Sequence, residues 1–472
     1  MISHNVQEFP QPVHFIGVGG AGMSGIAAVL ARLGVQVTGS DLKSSRYTRL
    51  LEQAGVDVRV GHHAHNLGEA ALVVISSAIP ESNPELVAAR SRGLPVLRRA
   101  EMLARIMTMR RGIAVADTHG KTTTSSMISH VLWQCGLDPT FLVGGELNDI
   151  GSNAGVGGGE WLVAEADESD GSLLFLRHEV AIVSNVELDH HSNYACLDDV
   201  HDVFRRFVAL LPPEGLLVLV VGSGGEELAA SSRARVVTVG IAGGDLQAEV
   251  VRVDDRGSRF VVRDADGELA TVTLRLPGEH NILNALTSLA VLRHCGVEPE
   301  LAAPHLATFS GAARRFQELG CENGVLVVDD YAHHPTEIAA TLKAAMLGDH
   351  ERVIAVFQPH LFSRTRYLQR EFGRALTLAD EAIVTDIFPA REEPEPGVTG
   401  KLIVDAYLTE RPGGPVAYLP RLGDVVRNLA PRVRPGDLVL TMGAGDVSRA
   451  GERLLEALGQ QGPRQESTNT GM

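Results

Sequence analysis

The chain has 472 residues, which is too long for one ordinary domain and suggests about three. Its hydrophobic share of 44% with 21% charged residues excludes a disordered chain. The formal net charge of −16 argues against a general nucleic-acid-binding surface, which needs clustered Lys and Arg. Cys135, Cys196, Cys295 and Cys321 are widely spaced with no C-x-x-C pair, so they read as reduced thiols rather than a disulfide frame or zinc site.

The opening MISHNVQEFPQP has neither a basic nor an apolar leader segment, and nowhere do 18 apolar residues run together. A soluble, cytoplasmic protein without integral membrane association is expected. From Val13 to Arg99, VHFIGVG, VQVTGSD, ALVVISSAI and LPVL alternate with helical patterns, which predicts a parallel sheet with covering helices in a first unit over residues 1–109. Its first turn, GVGGAGMSG, carries Gly17, Gly19 and Gly22 as G-x-G-x-x-G, with Gly20 between them. Small residues there let backbone N–H groups approach a diphosphate at a helix N-terminus. Met23 and Ser24 in the following helix, Asp41 at the end of the second strand, and Ser76 and Ser77 at the end of the third apolar run are further candidates for that site. Asp41 lies 19 residues beyond Gly22, a spacing that also suits an NAD-dependent dehydrogenase.

A second unit, residues 110–308, opens with a strand, GIAVAD, running into THGKTTT and a helix. Thr118, His119, Gly120, Lys121, Thr122 and Thr123 read as a phosphate loop, with Lys121 for the β and γ phosphates and the Thr122 hydroxyl for Mg²⁺. Val115 and Asp117 depart from the longer G-x-x-x-x-G-K-[ST] form. Asp117, a carboxylate beside a triphosphate, is repulsive unless metal or Lys121 intervenes or the side chain turns outward, and a non-glycine residue resists positive φ. Two further strand ends, AEADESD with Glu165, Asp167 and Glu168, and SNVELDHH with Asn185, Glu187, Asp189 and His190, offer oxygen and imidazole ligands for Mg²⁺. Alternation from Val236 to Leu276, including VVTVG, predicts appended antiparallel hairpins. LPGEHNILNA then places Gly278, His280, Asn281 and Asn284 at a helix start, where Asn can read an adenine edge or cap the helix.

The third unit, residues 309–472, again alternates strands and helices as a doubly wound parallel sheet. GAARRF supplies Arg314 and Arg315; DDYAHHPTE supplies Asp329, Asp330, Tyr331, His333 and His334; QPHLFSRTR supplies His360, Ser363, Arg364 and Arg366. Arginine forks suit phosphate and carboxylate groups, and histidines can take a proton from an amine. The last residues, GQQGPRQESTNTGM, are expected to fray.

GVGGAGMSG, THGKTTT, AEADESD, NVELDH, PGEHNILNA, FSGAARRF, DDYAHHPTE and QPHLFSRT, in this order, resemble the Mur ligases of peptidoglycan synthesis from about Val13 to Val447. The resemblance implies an α/β fold of three domains, each a mainly parallel sheet with flanking helices. The central one would be a P-loop-type ATPase with an added antiparallel section. It also implies ATP-dependent joining of L-alanine to the carboxylate of UDP-N-acetylmuramate through an acyl phosphate, in a monomer or weak homodimer that binds no nucleic acid.

In that scheme Lys121, Glu165, His190, His333, His334, His360 and Arg364 would be catalytic, with Thr122, Glu165 and His190 on Mg²⁺. His280, Asn281, Asn284 and Arg314 would surround the nucleotide, while Arg315, Asp330 and Arg366 would meet substrate. No D-N-P-R sequence occurs, which separates the chain from the member that adds diaminopimelate. The family's loop has Gly at the position of Asp117, and Ala313 replaces another Gly. The competing expectations are a UDP-sugar-binding homologue impaired in ATP chemistry, a ligase that recycles a preformed tripeptide, and the dehydrogenase.

Overall fold

The computed structural model describes residues 9–190, 193–390 and 392–460. Most of the polar tail and the first eight residues lie outside these. Three sheets follow one another along the chain.

The first sheet comprises β1 Val13–Ile16, β2 Val37–Asp41, β3 Asp57–Val60, β4 Leu72–Ile75 and β5 Val96–Arg98, in the order β3-β2-β1-β4-β5 and parallel throughout. Its exposed edge strand β3, DVRV, is only four residues long, too short for its alternation to stand out in the sequence. Behind the sheet, Glu85 is fully buried. It accepts hydrogen bonds from Ser40 Oγ (2.7 Å), Asn66 Nδ2 (2.8 Å) and the His63 N–H (3.0 Å), and lies 2.9 Å from His14 Nε2. Burial opposes its charge, but these donors hold the carboxyl down at about 2.

The central sheet contains β6 Arg111–Val115, β7 Thr140–Leu147, β8 Ser152–Gly155, β9 Trp161–Glu165, β10 Val180–Val183, β11 Leu216–Val220, β12 Arg235–Gly240, β13 Leu246–Asp254, β14 Gly257–Asp264 and β15 Gly267–Leu274. The order is β15-β14-β13-β12-β11-β10-β6-β9-β7-β8. Strand β12, the VVTVG stretch, runs parallel to β11, which corrects the expectation that the antiparallel section starts there; β13 to β15 form that section. The β7–β8 hairpin escapes a sequence reading because glycines interrupt its alternation.

The last sheet contains β16 Gln317–Glu322, β17 Val325–Asp330, β18 Arg352–Phe357, β19 Glu381–Val384, β20 Val416–Tyr418 and β21 Asp437–Met442. The order is β16-β17-β21-β18-β19-β20, parallel except for the antiparallel edge β16.

The apolar packing divides unevenly. One hydrophobic core runs from Phe15, Met23 and Leu103 of the first sheet into Leu142, Ala154 and Leu162 of the central one. The helix Ala21–Arg32 makes this contact: a Cβ on Gly25 would stand 3.1 Å from Leu142 and 3.3 Å from Ala154. Two separate cores fill the last domain and stay within it. It meets the central domain through polar side chains, described next.

Candidate active site

The phosphate loop bends where the sequence places it, between β6 and the helix Lys121–Gln134. Gly120 caps that helix at φ 96°, and an added Cβ would lie 2.9 Å from Asn284 Oδ1, so only glycine fits. The loop is pinned to the end of β10 by a reciprocal pair: the His119 N–H donates to Asn185 Oδ1, and Asn185 Nδ2 donates to the His119 carbonyl, each at 2.7 Å. The Thr118 hydroxyl accepts from the Glu187 N–H at 3.1 Å.

Lys121 donates from Nζ to Glu168 Oε2 at 2.7 Å and to the Asp117 and Thr118 carbonyls. Burial disfavours its charge, but Glu168 and Asp167 outweigh this and hold the ammonium above its usual range. The other Glu168 oxygen is 3.5 Å from His190 Nε2, so lysine, carboxylate and imidazole form one chain. Burial also works against a charged His190, but Glu168 and Asp189 raise it.

Asp117 does not turn outward. Its side chain is wholly buried, one oxygen accepts from the Ser184 N–H, and the other has no hydrogen-bond partner. Burial pushes the carboxyl up to about 7, against the pull of the Ser184 N–H and Lys121. Asp117 is not among the residues with left-handed backbone, so the conformation itself does not require glycine here.

Glu165, at the end of β9, accepts from the Gly144 N–H (2.5 Å) and from Ser125 Oγ (3.4 Å), one turn beyond Thr122. Hydroxyl and carboxylate therefore rise from adjacent elements beside the loop. Their oxygen chemistry fits Mg²⁺.

The last domain closes over this loop. Arg364, at the start of the helix Phe362–Leu376, makes a two-pronged bond to Asp189 (3.0 and 2.8 Å), and both side chains are about 95% or more buried. This pairing holds Asp189 well below the usual carboxylate range despite burial. His360 Nδ1 lies 3.3 Å from Arg364, and the rings of His360 and His333 are 6.1 Å apart. Burial keeps both neutral, pushing His333 down to about 3 and His360 to about 4.

His334 caps the helix Pro335–Ala345, and Glu337, three residues on, accepts the His333 and His334 N–H groups. Glu337 also faces His119 Nδ1 at 3.3 Å. Burial opposes a charge on His119, but Glu337 and Glu187 overcome it and push the imidazole up to about 9. The H-P-T-E spacing of a capping box was the one sequence signal for Glu337, which was not singled out.

An open cavity lies between the central and last domains. His119, Gly120, Thr123, Asn185, His280, Asn281, Asn284, Arg315, Asp330 and Glu337 line it. Burial pushes His280 down to about 4 and the Asp330 carboxyl up to about 6.

Arg314, expected around the nucleotide, instead binds Asp329 (2.8 Å) and the carbonyls of Gly443 (2.7 Å) and Gly445 (3.0 Å). Its backbone is left-handed, φ 62°, and the neighbouring Arg315 reaches the cavity. Arg366 also leaves the site. It pairs with Glu395 on an exposed face, one residue away from the inward row of its helix.

At the first sheet, Gly17 and Gly20 shape the turn, and Asp41 Oδ2 accepts from the Gly19 N–H at 2.9 Å. The loop carrying Ser76 and Ser77 closes beside it, with Ile79 against Gly17. Met23 packs into the core and Ser24 Oγ turns back to the Ala21 carbonyl, so neither side chain faces the turn as expected; helix packing claims both. Arg99, unnoticed in the sequence, lies against Gly22 and pairs with Asp167 at 3.4 Å, tying the glycine turn to the central domain.

Three sequence-family profiles match in series: Mur ligase family, catalytic domain, over residues 12–111; Mur ligase middle domain over 115–292; and Mur ligase, glutamate ligase domain, over 314–445. A UDP-N-acetylmuramate–L-alanine ligase of Rubrobacter xylanophilus is 52% identical across 94% of this chain and all of its own length. One from Thermobifida fusca is 48% identical across 95% and 96%. Among solved structures, the UDP-N-acetylmuramate-alanine ligase MurC of Thermotoga maritima superposes with a TM-score of 0.81 at 28% identity, over 95% of this chain and 99% of its own. A murein peptide ligase of Psychrobacter arcticus reaches 0.70 at 29%, over 95% and 98%. On this agreement of site, fold and sequence, the chain belongs to the Mur ligase family of ATP-dependent, amide-bond-forming ligases.

Proposed function

We propose that the chain joins L-alanine to the carboxylate of UDP-N-acetylmuramate, with ATP supplying the activation. The observation that carries this reading is the docking of Arg364 on Asp189 beside the Lys121–Glu168–His190 chain, which sets an amine-handling domain directly over a phosphate loop. Relatives named for this reaction, at 44–52% identity, support alanine as the amino acid.

Lys121 meets the β and γ phosphate oxygens and offsets charge on the transferring group. A muramoyl carboxylate oxygen attacks the γ phosphorus, ADP leaves, and an acyl phosphate forms. The alanine nitrogen then attacks the acyl carbon and inorganic phosphate departs. The incoming ammonium must first lose a proton; His333 and His360, held neutral by burial, suit accepting a hydrogen bond that orients the nitrogen rather than storing its proton. Arg364 and Arg315 offer donors to the phosphate. Thr122, Glu165 and His190 would hold Mg²⁺, which when bound neutralises phosphate charge.

The glycine turn of the first sheet would take the diphosphate of the nucleotide sugar, through backbone N–H groups that do not sense what the diphosphate carries. No helix among the described residues is long and apolar enough to cross a membrane, and water-soluble substrates suit the cytoplasm.

The deciding assay is Mg²⁺-dependent ADP release. It should require both UDP-N-acetylmuramate and L-alanine. Turnover with L-alanyl-D-glutamyl-diaminopimelate but not with free alanine would transfer the chain to the recycling reading.

A further inference from the structure

Apart from Thr122, Glu165 and His190, one other set of side chains has the composition of a metal site. His119 of the phosphate loop, Glu187 after β10 and His334 of the last domain bring their donor atoms within 4.8 Å of one another. Among the described residues no other three His, Cys, Asp or Glu do so. From this we propose a second metal site, for a transition ion of the Zn²⁺ type, bound by two imidazoles and one carboxylate across the junction of the central and last domains.

The distances suit it. His119 Nε2 and His334 Nδ1 each stand 3.6 Å from Glu187 Oε2. Donors on a tetrahedral Zn²⁺ with bonds of about 2.0–2.2 Å are about 3.4 Å apart, so small side-chain movements bring this pair of contacts to bonding geometry, with His334 Nδ1 giving up the long 3.4 Å cap contact from the Thr336 N–H.

The surroundings also have the form of a metal centre. Glu337 faces the far nitrogen of His119 at 3.3 Å, the carboxylate–histidine–metal relay that fixes a ligand's tautomer. Thr336 Oγ donates to Glu187 Oε2 at 2.7 Å and orients it. His119 Nε2 is buried with no hydrogen-bond partner, although it points towards Glu187.

Two nitrogens and one oxygen favour Zn²⁺ or Co²⁺ over Mg²⁺, which prefers oxygen and its own waters. His119 and Glu187 both line the nucleotide cavity, so the fourth coordination position opens towards it. A metal there would hold the last domain against the central one. The competing account is a purely protonic latch, in which charged His119 is shared between Glu187 and Glu337 without metal.

The test uses the full chain, stripped with chelator and free of nucleotide, titrated with Co²⁺ and then displaced with Zn²⁺. One equivalent of Co²⁺ with the intense visible bands of tetrahedral coordination is expected. The bands should be absent in both His119→Ala and His334→Ala, and retained in His190→Ala and in the double variant Cys196→Ser, Cys321→Ser. Glu337→Gln keeps all three ligands and should weaken Zn²⁺ binding by about 10- to 100-fold, with circular dichroism confirming the fold. Zn²⁺ binding should release about one proton at pH 7.5, because His119 must give up its own. No stoichiometric binding, binding that survives both histidine variants, or binding lost with His190 or the cysteines would overturn the proposal.

Discussion

Replacing Asp117 with Asn tests whether a buried acid sits uneasily in this phosphate loop. Asn keeps the oxygen that accepts the Ser184 N–H and replaces the unpartnered oxygen by an amide NH2, which removes the ionisation at nearly the same volume. Burial moves the carboxyl from an ordinary 3.8 to about 7. At about 1.4 kcal/mol per pH unit, the charged form therefore costs the fold about 4 kcal/mol.

The sign follows from linkage. Between those values the folded chain retains a proton that the unfolded chain has lost, so stability falls as pH rises through the window and stays low above it. Asp117→Asn should gain about 1–2 kcal/mol at pH 5 and about 4 kcal/mol at pH 8.5. For a unit of about 200–300 residues the larger gain is a Tm rise of about 6–10 °C. Thermal unfolding of both proteins at the two pH values reads this directly. An equal gain at both pH values, or none at pH 8.5, would refute the view that Asp117 is a strained, half-protonated acid. Asp117→Gly adds the catalytic side: faster ADP release would mark the acid as a handicap, slower release as an adaptation.

Lys121→Ala should abolish phosphate release while UDP-sugar binding, followed by calorimetry, persists on the first domain; joint loss would contradict their separation. Arg364→Ala leaves Asp189 buried without its partner at a cost of about 3–5 kcal/mol, so the last domain should undock, seen as a larger radius of gyration in X-ray scattering. An unchanged radius would show that other contacts hold the domains. Glu85 contributes stability that is present above its ordinary 4.5 and is lost as pH falls towards about 2, so Glu85→Gln should flatten the acid limb of the unfolding profile. In competition, free L-alanine should exclude the tripeptide from product.

The sequence reading was strongest where chemistry is local. Gly120, Lys121 and Thr122 are neighbours in the chain and in the loop, so their spacing alone places them together between β6 and the following helix. It was weaker where two adjacent residues face opposite ways. Arg314 and Arg315 are indistinguishable in GAARRF, and only the left-handed turn at Arg314 sends one into Asp329 and the other into the cavity. Arg364 and Arg366 divide similarly along one helix. The rotamer of Asp117 is not legible in the sequence, because the Ser184 N–H just beyond β10, which draws the side chain in, comes from a distant segment. The Glu85 network was invisible, since His14, Ser40, Asn66 and Glu85 come from four separate segments.

The hydrophobic core shared by the first two sheets limits where the polypeptide can be divided. A fragment ending near residue 109 would expose the face of the Ala21–Arg32 helix that Leu142 and Ala154 now cover, and should aggregate. A cut beyond Phe309, which belongs to the central core, severs mainly hydrogen bonds and ion pairs, which water can replace. Divided there, the chain should give two pieces, one carrying both glycine-containing loops and one carrying Arg364, that reassemble when mixed.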